Sequence, residues 1–425
     1  MADPRLLTAA LLLLAYALLS RRLGRWWVSM PAAMVLMGFL VGPAVLNHFD
    51  LSVGSETVRT IAEITLALML FHDAARIRLR VLWQESTLPA RLLAIGLPLM
   101  IVFGALLGYV MFPSLGWIGA ALVGTMLAPT DAALGEQVVS DERLPGWLRQ
   151  GLNVESGLND GLSVPVFLVL IVIATAGEWT PGAFGSELAR QIGFGVLSGL
   201  MVGGVGGWLM RRAKAAGLMR DEWVRIGVVA LALASYVLAA TLHGSGFIGA
   251  FVGGLMFGWA SRLRGAEVMG FTGHLGEMFD AVAFVLLGAV LVPMAIPYLT
   301  WQVLLYAVLS LVVVRTASVL LAVAGTGAAW PTKLFMGWFG PRGLATIVFT
   351  MLLLDDAVPN KGLIATIAVT GVVLSVYAHG FTAPWLAGAY SHWYERSGHD
   401  IGGLPEHVEV GSPHLRRSDM GPNGG

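Results

Sequence analysis

Apolar runs long enough to cross a bilayer recur from one end of this chain almost to the other. A spanning helix needs about 20 apolar residues, within a range of roughly 17–25. Runs of that kind lie near 6–20, 26–47, 57–73, 89–111, 115–139, 150–176, 184–210, 222–242, 246–260, 273–292, 300–324, 331–354 and 362–388. They predict an all-α polytopic membrane protein of about thirteen transmembrane helices. Helices suit hydrocarbon because they satisfy their own backbone polar groups. Composition agrees: 12% of residues are charged, against about 25% in soluble proteins. Lys plus Arg and Asp plus Glu number 26 each, so no basic excess points to nucleic acid. There is no cysteine, which removes disulfides and thiolate metal sites.

Basic residues near helix ends collect on the cytoplasmic side. Arg21, Arg22 and Arg25 follow the first run, and Arg76, Arg78, Arg80 and Arg91 the third. Arg143 and Arg149 follow the fifth, Arg211, Arg212, Lys214, Arg220 and Arg225 the seventh. Arg262 and Arg264 follow the ninth, and Lys333 the eleventh. The opposite loops have only Arg59, Arg190 and Lys361 near them. This alternation predicts an odd helix count, an outside N-terminus and a cytoplasmic C-terminus in the cell's inner, or plasma, membrane. Leu6 to Ser20 has the length of a signal-peptide core, but arginines rather than a small-residue cleavage site follow it, so it reads as a retained first helix. Residues 1–390 then form the transmembrane domain. Residues 391–425 read as a short, disordered cytoplasmic tail whose His399, His407 and His414 are too widely separated for a metal.

Two runs are interrupted. The fifth contains Ala128-Pro129-Thr130-Asp131, and the twelfth contains Gly340-Pro341-Arg342-Gly343. Proline removes a backbone donor and disfavours helical geometry at the preceding residue. With the seventh helix as a linker, the first six and last six make two repeats, in which the fifth corresponds to the twelfth. Seven helices separate them, so they run in opposite directions. Paired broken segments in inverted halves point to a transporter's midplane site.

The sixth run carries Asn153 to Gly161, with Glu155, Ser156, Asn159 and Asp160, straight into apolar sequence. A charge at a helix centre costs roughly 2.5–3.5 kcal/mol on insertion scales. Residues four apart share a stripe, so Glu155 and Asn159 lie beside Ser156 and Asp160 on one face. Elsewhere the readings are structural. Gly195, Gly199, Gly203 and Gly207 form a small-xxx-small packing ladder. His243-Gly244-Ser245-Gly246 lacks the acid or oxyanion framework of a nucleophile. Arg315 snorkels or pairs.

Ala128-Pro129-Thr130-Asp131, Glu155 to Gly161 and Gly340-Pro341-Arg342-Gly343 together resemble the monovalent cation:proton antiporters of the NhaP and sodium/proton exchanger type. The resemblance covers nearly the whole membrane domain. It implies a thirteen-helix inverted-repeat fold, usually a homodimer, with a dimerisation domain and a moving core domain. It implies that Asp160 carries both cation and proton, with Ser156 and Thr130 coordinating the ion and Asp131 acting near it. It pairs Glu155 with Arg342. An acidic ligand from the third helix falls on Asp73, although Phe71-His72-Asp73-Ala74 departs from the usual Gly-rich pattern. The Asn159-Asp160 pair implies electroneutral exchange. No cofactor is implied.

Elementary chemistry runs alongside. Na⁺ and Li⁺ are hard cations that want oxygen ligands. A proton and a cation compete for one carboxylate, and either neutralises it for the crossing. That rule yields one-for-one exchange without a separate proton gate. A cation channel would not need inverted broken helices. An organic-anion transporter on a related fold would lack the Asn-Asp pair. A hydrolase would need a nucleophile or a motif such as HExxH or GxSxG, and neither motif occurs, so an enzyme is not expected.

Overall fold

The computed structural model describes residues 4–25, 28–46, 56–76, 87–175, 181–262 and 266–397. Every regular element among them is helical. The first three are α1 (Pro4–Arg25), α2 (Met30–Val41) and α3 (Glu56–Arg76). Then come α4 (Leu88–Met111), α5 (Gly116–Met126), α6 (Ala132–Val139) and α7 (Gly146–Thr175). Next, α8 begins at Pro181–Gly199 and continues through a π-helical turn, Leu200–Val205, into Gly206–Ala215. It is followed by α9 (Asp221–Thr241), α10 (Gly246–Ser261) and α11 (Ala266–Leu286, extended by Leu287–Leu291 and Val292–Ala295). The last are α12 (Trp301–Ala322), α13 (Trp330–Trp338), α14 (Leu344–Asp355) and α15 (Lys361–Ser397). Among the described residues, seven helical segments are long and apolar enough to span a membrane.

Local chemistry marks the helix ends. The Ser29 hydroxyl accepts from Ala32 N (3.4 Å) with Pro31 in the first turn of α2, and Thr300 accepts from Val303 N at the start of α12. Ser245, considered above as a nucleophile, caps α10 by accepting from Ile248 N (3.3 Å). At C-termini, cations reach the free carbonyls. Arg91 donates to Ala322 O and Ala324 O at the end of α12, and Lys361 to Leu354 O and Asp356 O at the end of α14.

Packing relies on missing side chains. The glycine ladder of α8 lies on α10, and a Cβ at Gly203 would stand 2.1 Å from Gly253 O. The same helix α10 presses Gly254 and Gly258 onto the α3 backbone at Phe71 and Ala75. Without a hydrophobic drive between helices in lipid, such close approach supplies the contact energy. On the other side, α4 lies along α5, α7 touches both α5 and α3, and α15 spans α12 and α14.

Both expected interruptions are present, between α5 and α6 and between α13 and α14. The last helix does not stop near 390 but reaches Ser397. Trp393 and Tyr394 continue its apolar face against a core containing Phe335, Ala387 and Tyr390, which keeps it helical. Residues 398–425, including His399, His407 and His414, lie outside the described residues, as do Arg78, Arg80 and Arg264.

Candidate ion-binding site

The two interrupted helices meet at their breaks. Asp131 N donates to Pro341 O (2.7 Å), tying one crossing segment to the other. The Asp131 carboxylate then serves both half-helices. Its Oδ1 accepts from Leu134 N (2.9 Å) in the first turn of α6, and its Oδ2 accepts from Leu344 N (2.9 Å) at the start of α14. One negative charge thus sits on two helix N-termini, where the dipoles favour it. Gly343 makes room for this: a Cβ there would lie 1.8 Å from Asp131 Oδ2.

The opposite ends carry the opposite charge. Arg342 donates to Ala128 O and to Pro129 O (3.1 Å), just beyond the C-terminus of α5. Arg315 donates to Phe339 O (3.1 Å), just beyond the C-terminus of α13. Thr346 adds a bond to Met126 O (2.6 Å), and Arg342 N donates to Ser375 Oγ (2.7 Å) of α15. All four broken ends therefore have charged partners inside the protein.

The expected pairing of Glu155 with Arg342 is not the one formed. Glu155 takes Arg315 in a two-pronged pair, Nη1 to Oε1 and Nη2 to Oε2, the second at 2.9 Å. Both side chains are about 1–2% exposed, so neither charge has water as an alternative. The reason lies in direction. Arg342 is turned toward the carbonyls of the 127–131 segment, whereas α12 brings Arg315 to α7 just past the π-helical turn Ser310–Val314. Such turns often mark functional positions in helices. The signal for Arg315 was visible in the sequence, as an arginine inside an apolar run, but its partner was not.

Thr130, Ser156 and Asn159 form one network. Asn159 Nδ2 donates to Thr130 Oγ1 (2.6 Å), and Thr130 Oγ1 lies 3.1 Å from Ser156 Oγ. Ser163 holds the helix below by donating to Asn159 O. Two oxygens beside this network, Asn159 Oδ1 and Asp160 Oδ1, are buried without a hydrogen-bond partner. Buried polar atoms are normally satisfied, and exceptions call for a function or a missing ligand. Asp160 lies within electrostatic reach of Asp131, Asp73 and Asp280. Asp73 faces the same helix, its Cβ 3.7 Å from where a Cβ on Gly157 would be. Asp280, in α11, did not enter the sequence reading; its signal was an acid inside the tenth run, three residues after Glu277. Among the described residues no three His, Asp or Glu side chains close into a metal cage. The donor set is a carboxylate with an unpartnered oxygen together with hydroxyl, amide and carbonyl oxygens, which suits a singly charged hard cation.

Residues 8–388 match the profile of the transmembrane sodium/hydrogen exchanger family. The chain belongs to that family. An Na⁺/H⁺ antiporter of Zygosaccharomyces rouxii is 25% identical over 334 residues, 73% of this chain and 41% of the yeast protein. The K⁺/H⁺ antiporter NhaP2 of Shewanella oneidensis is 25% identical over 88% of this chain and 65% of its own length. This exchanger-family chain thus spans less than two thirds of either relative. The solved structure of the sodium proton antiporter MjNhaP1 from Methanocaldococcus jannaschii superposes with a TM-score of 0.74 at 20% identity, covering 90% of this chain and 97% of that one. That likeness establishes the exchanger fold.

Proposed function

We propose that this protein exchanges a monovalent cation for a proton by alternating access, one for one. Na⁺ and Li⁺ are the first candidates, and K⁺ is the third. The carrying observation is the buried, unpartnered Asp160 Oδ1 beside the Thr130–Ser156–Asn159 network, where two broken helices cross. Relatives named as Na⁺/H⁺ and K⁺/H⁺ antiporters support both the reaction and the choice of ions. Asp160 alternately holds the proton and the cation. Thr130 and Ser156 supply neutral oxygens to the cation, and Asn159 orients Thr130. Asp131 organises the crossing rather than leaving it, since both its oxygens serve helix ends. Glu155 is held by Arg315 and takes no part in the exchange.

The architecture we propose around this site is two inverted six-helix repeats joined by α8, thirteen spans in all. The matching charge treatment of the α5–α6 and α13–α14 breaks supports it. The bundle is a homodimer in the plasma membrane, N-terminus outside, with the transmembrane domain ending near 390 and a short cytoplasmic tail beyond. Arginines in the last turns of α1, α3 and α15 support that orientation. The test is exchange in proteoliposomes under an imposed pH gradient with each cation. Cation-driven proton flux should saturate in the wild-type protein and vanish in Asp160→Asn, which is roughly isosteric but cannot titrate. Flux retained in Asp160→Asn would refute the assignment.

A further inference from the structure

Asp280 is a buried acid that the exchange scheme above does not use. It is 2% exposed, and its Oδ1 has no hydrogen-bond partner. It sits on α11, which packs against α2, α3, α9 and α14. The acids that act on it are Asp131, Asp73 and Glu277, and it acts in turn on Asp160.

Its direction follows from the helix contact beneath it. Gly276, one turn before Asp280, meets Met69, one turn before Asp73: a Cβ on Gly276 would stand 2.8 Å from Met69 Sδ. Residues four apart share a stripe. Asp280 therefore lies on the α3-facing stripe of α11, and Asp73 on the α11-facing stripe of α3. Asp73 also faces α7 at Gly157, one turn before Asp160. Asp73 thus joins the seam between α3 and α11 to the helix that carries the transport carboxylate.

The buried charges near the crossing divide into two groups. Glu155 is matched by Arg315, Asp131 by two helix N-termini, and Arg342 by carbonyls at a helix C-terminus. Asp280 has no such match. A buried carboxylate without a fixed cation is costly unless a mobile positive charge neutralises it. The mobile positive charges in an exchanger are its substrates.

We propose that Asp280 is a cation-attracting carboxylate of the transport path, drawing the monovalent cation toward Asp160 from the α3–α11 seam. It acts through its charge, in keeping with the absence of a closed acidic cage among the described residues. Its part is affinity for the incoming ion, while Asp160 remains the group that alternates between cation and proton. A unit charge near a monovalent cation, through an effective dielectric of about 20, changes its affinity on the order of tenfold.

This inference rests on the proposed exchange activity, and the experiment separates the two. Asp280→Asn and Asp280→Glu are compared with the wild-type protein in proteoliposomes, over concentration series of Na⁺, Li⁺ and K⁺ at one pH. Cation-induced stabilisation against heat is measured on the same proteins in detergent. Asp280→Asn should raise the apparent KM about tenfold with little change in rate at saturating cation. Stabilisation by cation should then require about tenfold more salt. Asp280→Glu, which keeps the charge, should return both quantities most of the way to wild type. A wild-type KM and an unchanged salt requirement in a folded Asp280→Asn protein would overturn the proposal. So would Asp280→Glu behaving like Asp280→Asn, since a packing role and not charge would then explain both. Should the Asn variant fail to fold, a wild-type KM in Asp280→Glu still supports the charge and a tenfold rise counts against it. If the wild-type protein catalyses no exchange, the function proposed above falls, while the cation-induced stabilisation still reads Asp280 by itself.

Discussion

Glu155 and Arg315, 160 residues apart in the chain, form a two-pronged ion pair with almost no exposure to solvent. A pair of this kind is poor evidence of net stability, because desolvation offsets much of the attraction. Breaking it is another matter. Arg315→Ala or Glu155→Ala leaves one buried charge uncompensated, typically at a cost of about 3–5 kcal/mol. The double change Glu155→Gln with Arg315→Gln should recover a large part of that loss. The same cycle with Arg342 in place of Arg315 should show much weaker coupling. Thermal unfolding in detergent measures both cycles, and equal coupling in the two would contradict the observed pairing.

Asp131 should behave as a structural acid of the crossing. Asp131→Ala removes the acceptor of Leu134 N and of Leu344 N at once. Each unsatisfied buried donor costs about 1–3 kcal/mol. Asp131→Asn keeps one acceptor oxygen and should lose about half as much stability. Gly343→Ala drives a methyl group into the same carboxylate and should match or exceed the alanine variant at 131. Melting temperatures in that order are the expected outcome; an Asp131→Ala protein as stable as wild type would remove the capping role.

If one carboxylate serves both ions, protons are competitive inhibitors of cation binding. Apparent KM should rise about tenfold per pH unit below the pKa of the Asp160 site, because the cation needs the deprotonated form. Above that pKa, affinity should level off while turnover falls, since the return step needs its proton. Rates measured at equal pH on both sides should therefore trace a bell. A KM independent of pH across the descending acid limb would rule out a shared carboxylate.

One-for-one exchange moves no net charge. Proteoliposomes clamped at different potentials with valinomycin and K⁺, using Na⁺ or Li⁺ as substrate, should give the same rate and the same end point. A shift of the end point with voltage would mean a second transported proton. Asp73 and Asp280, acids beside Asp160, would be the first residues to neutralise in search of it.

Much of the protein was legible as sequence. The apolar runs and arginine-rich loops mark helices, because hydrocarbon tolerates only backbones that bond to themselves. Pro129 and Gly340-Pro341 mark both breaks, because a missing N–H and a clash with the previous turn act locally, whatever surrounds them. The polar face of α7 from Glu155 to Asp160 follows from helical period alone. Even the glycine ladder of α8 announces close packing before its partner α10 is known.

The tertiary structure decided who meets whom. Nothing local distinguishes Arg315 from Arg342 as the partner of Glu155: both are arginines in apolar runs, and the choice depends on where α12 and the 339–343 segment are carried. Asp131 reads as a site acid beside Thr130, yet it caps two helices from distant parts of the chain, a role that exists only once the breaks cross. Asp280 reads as one more acid of the tenth run, beside Glu277, until α3 and α11 pack and its stripe of α11 meets α3. The periodicity of a helix determines which side chains share a face. Which face meets which depends on helix packing, and charges more than a hundred residues apart find their partners only there.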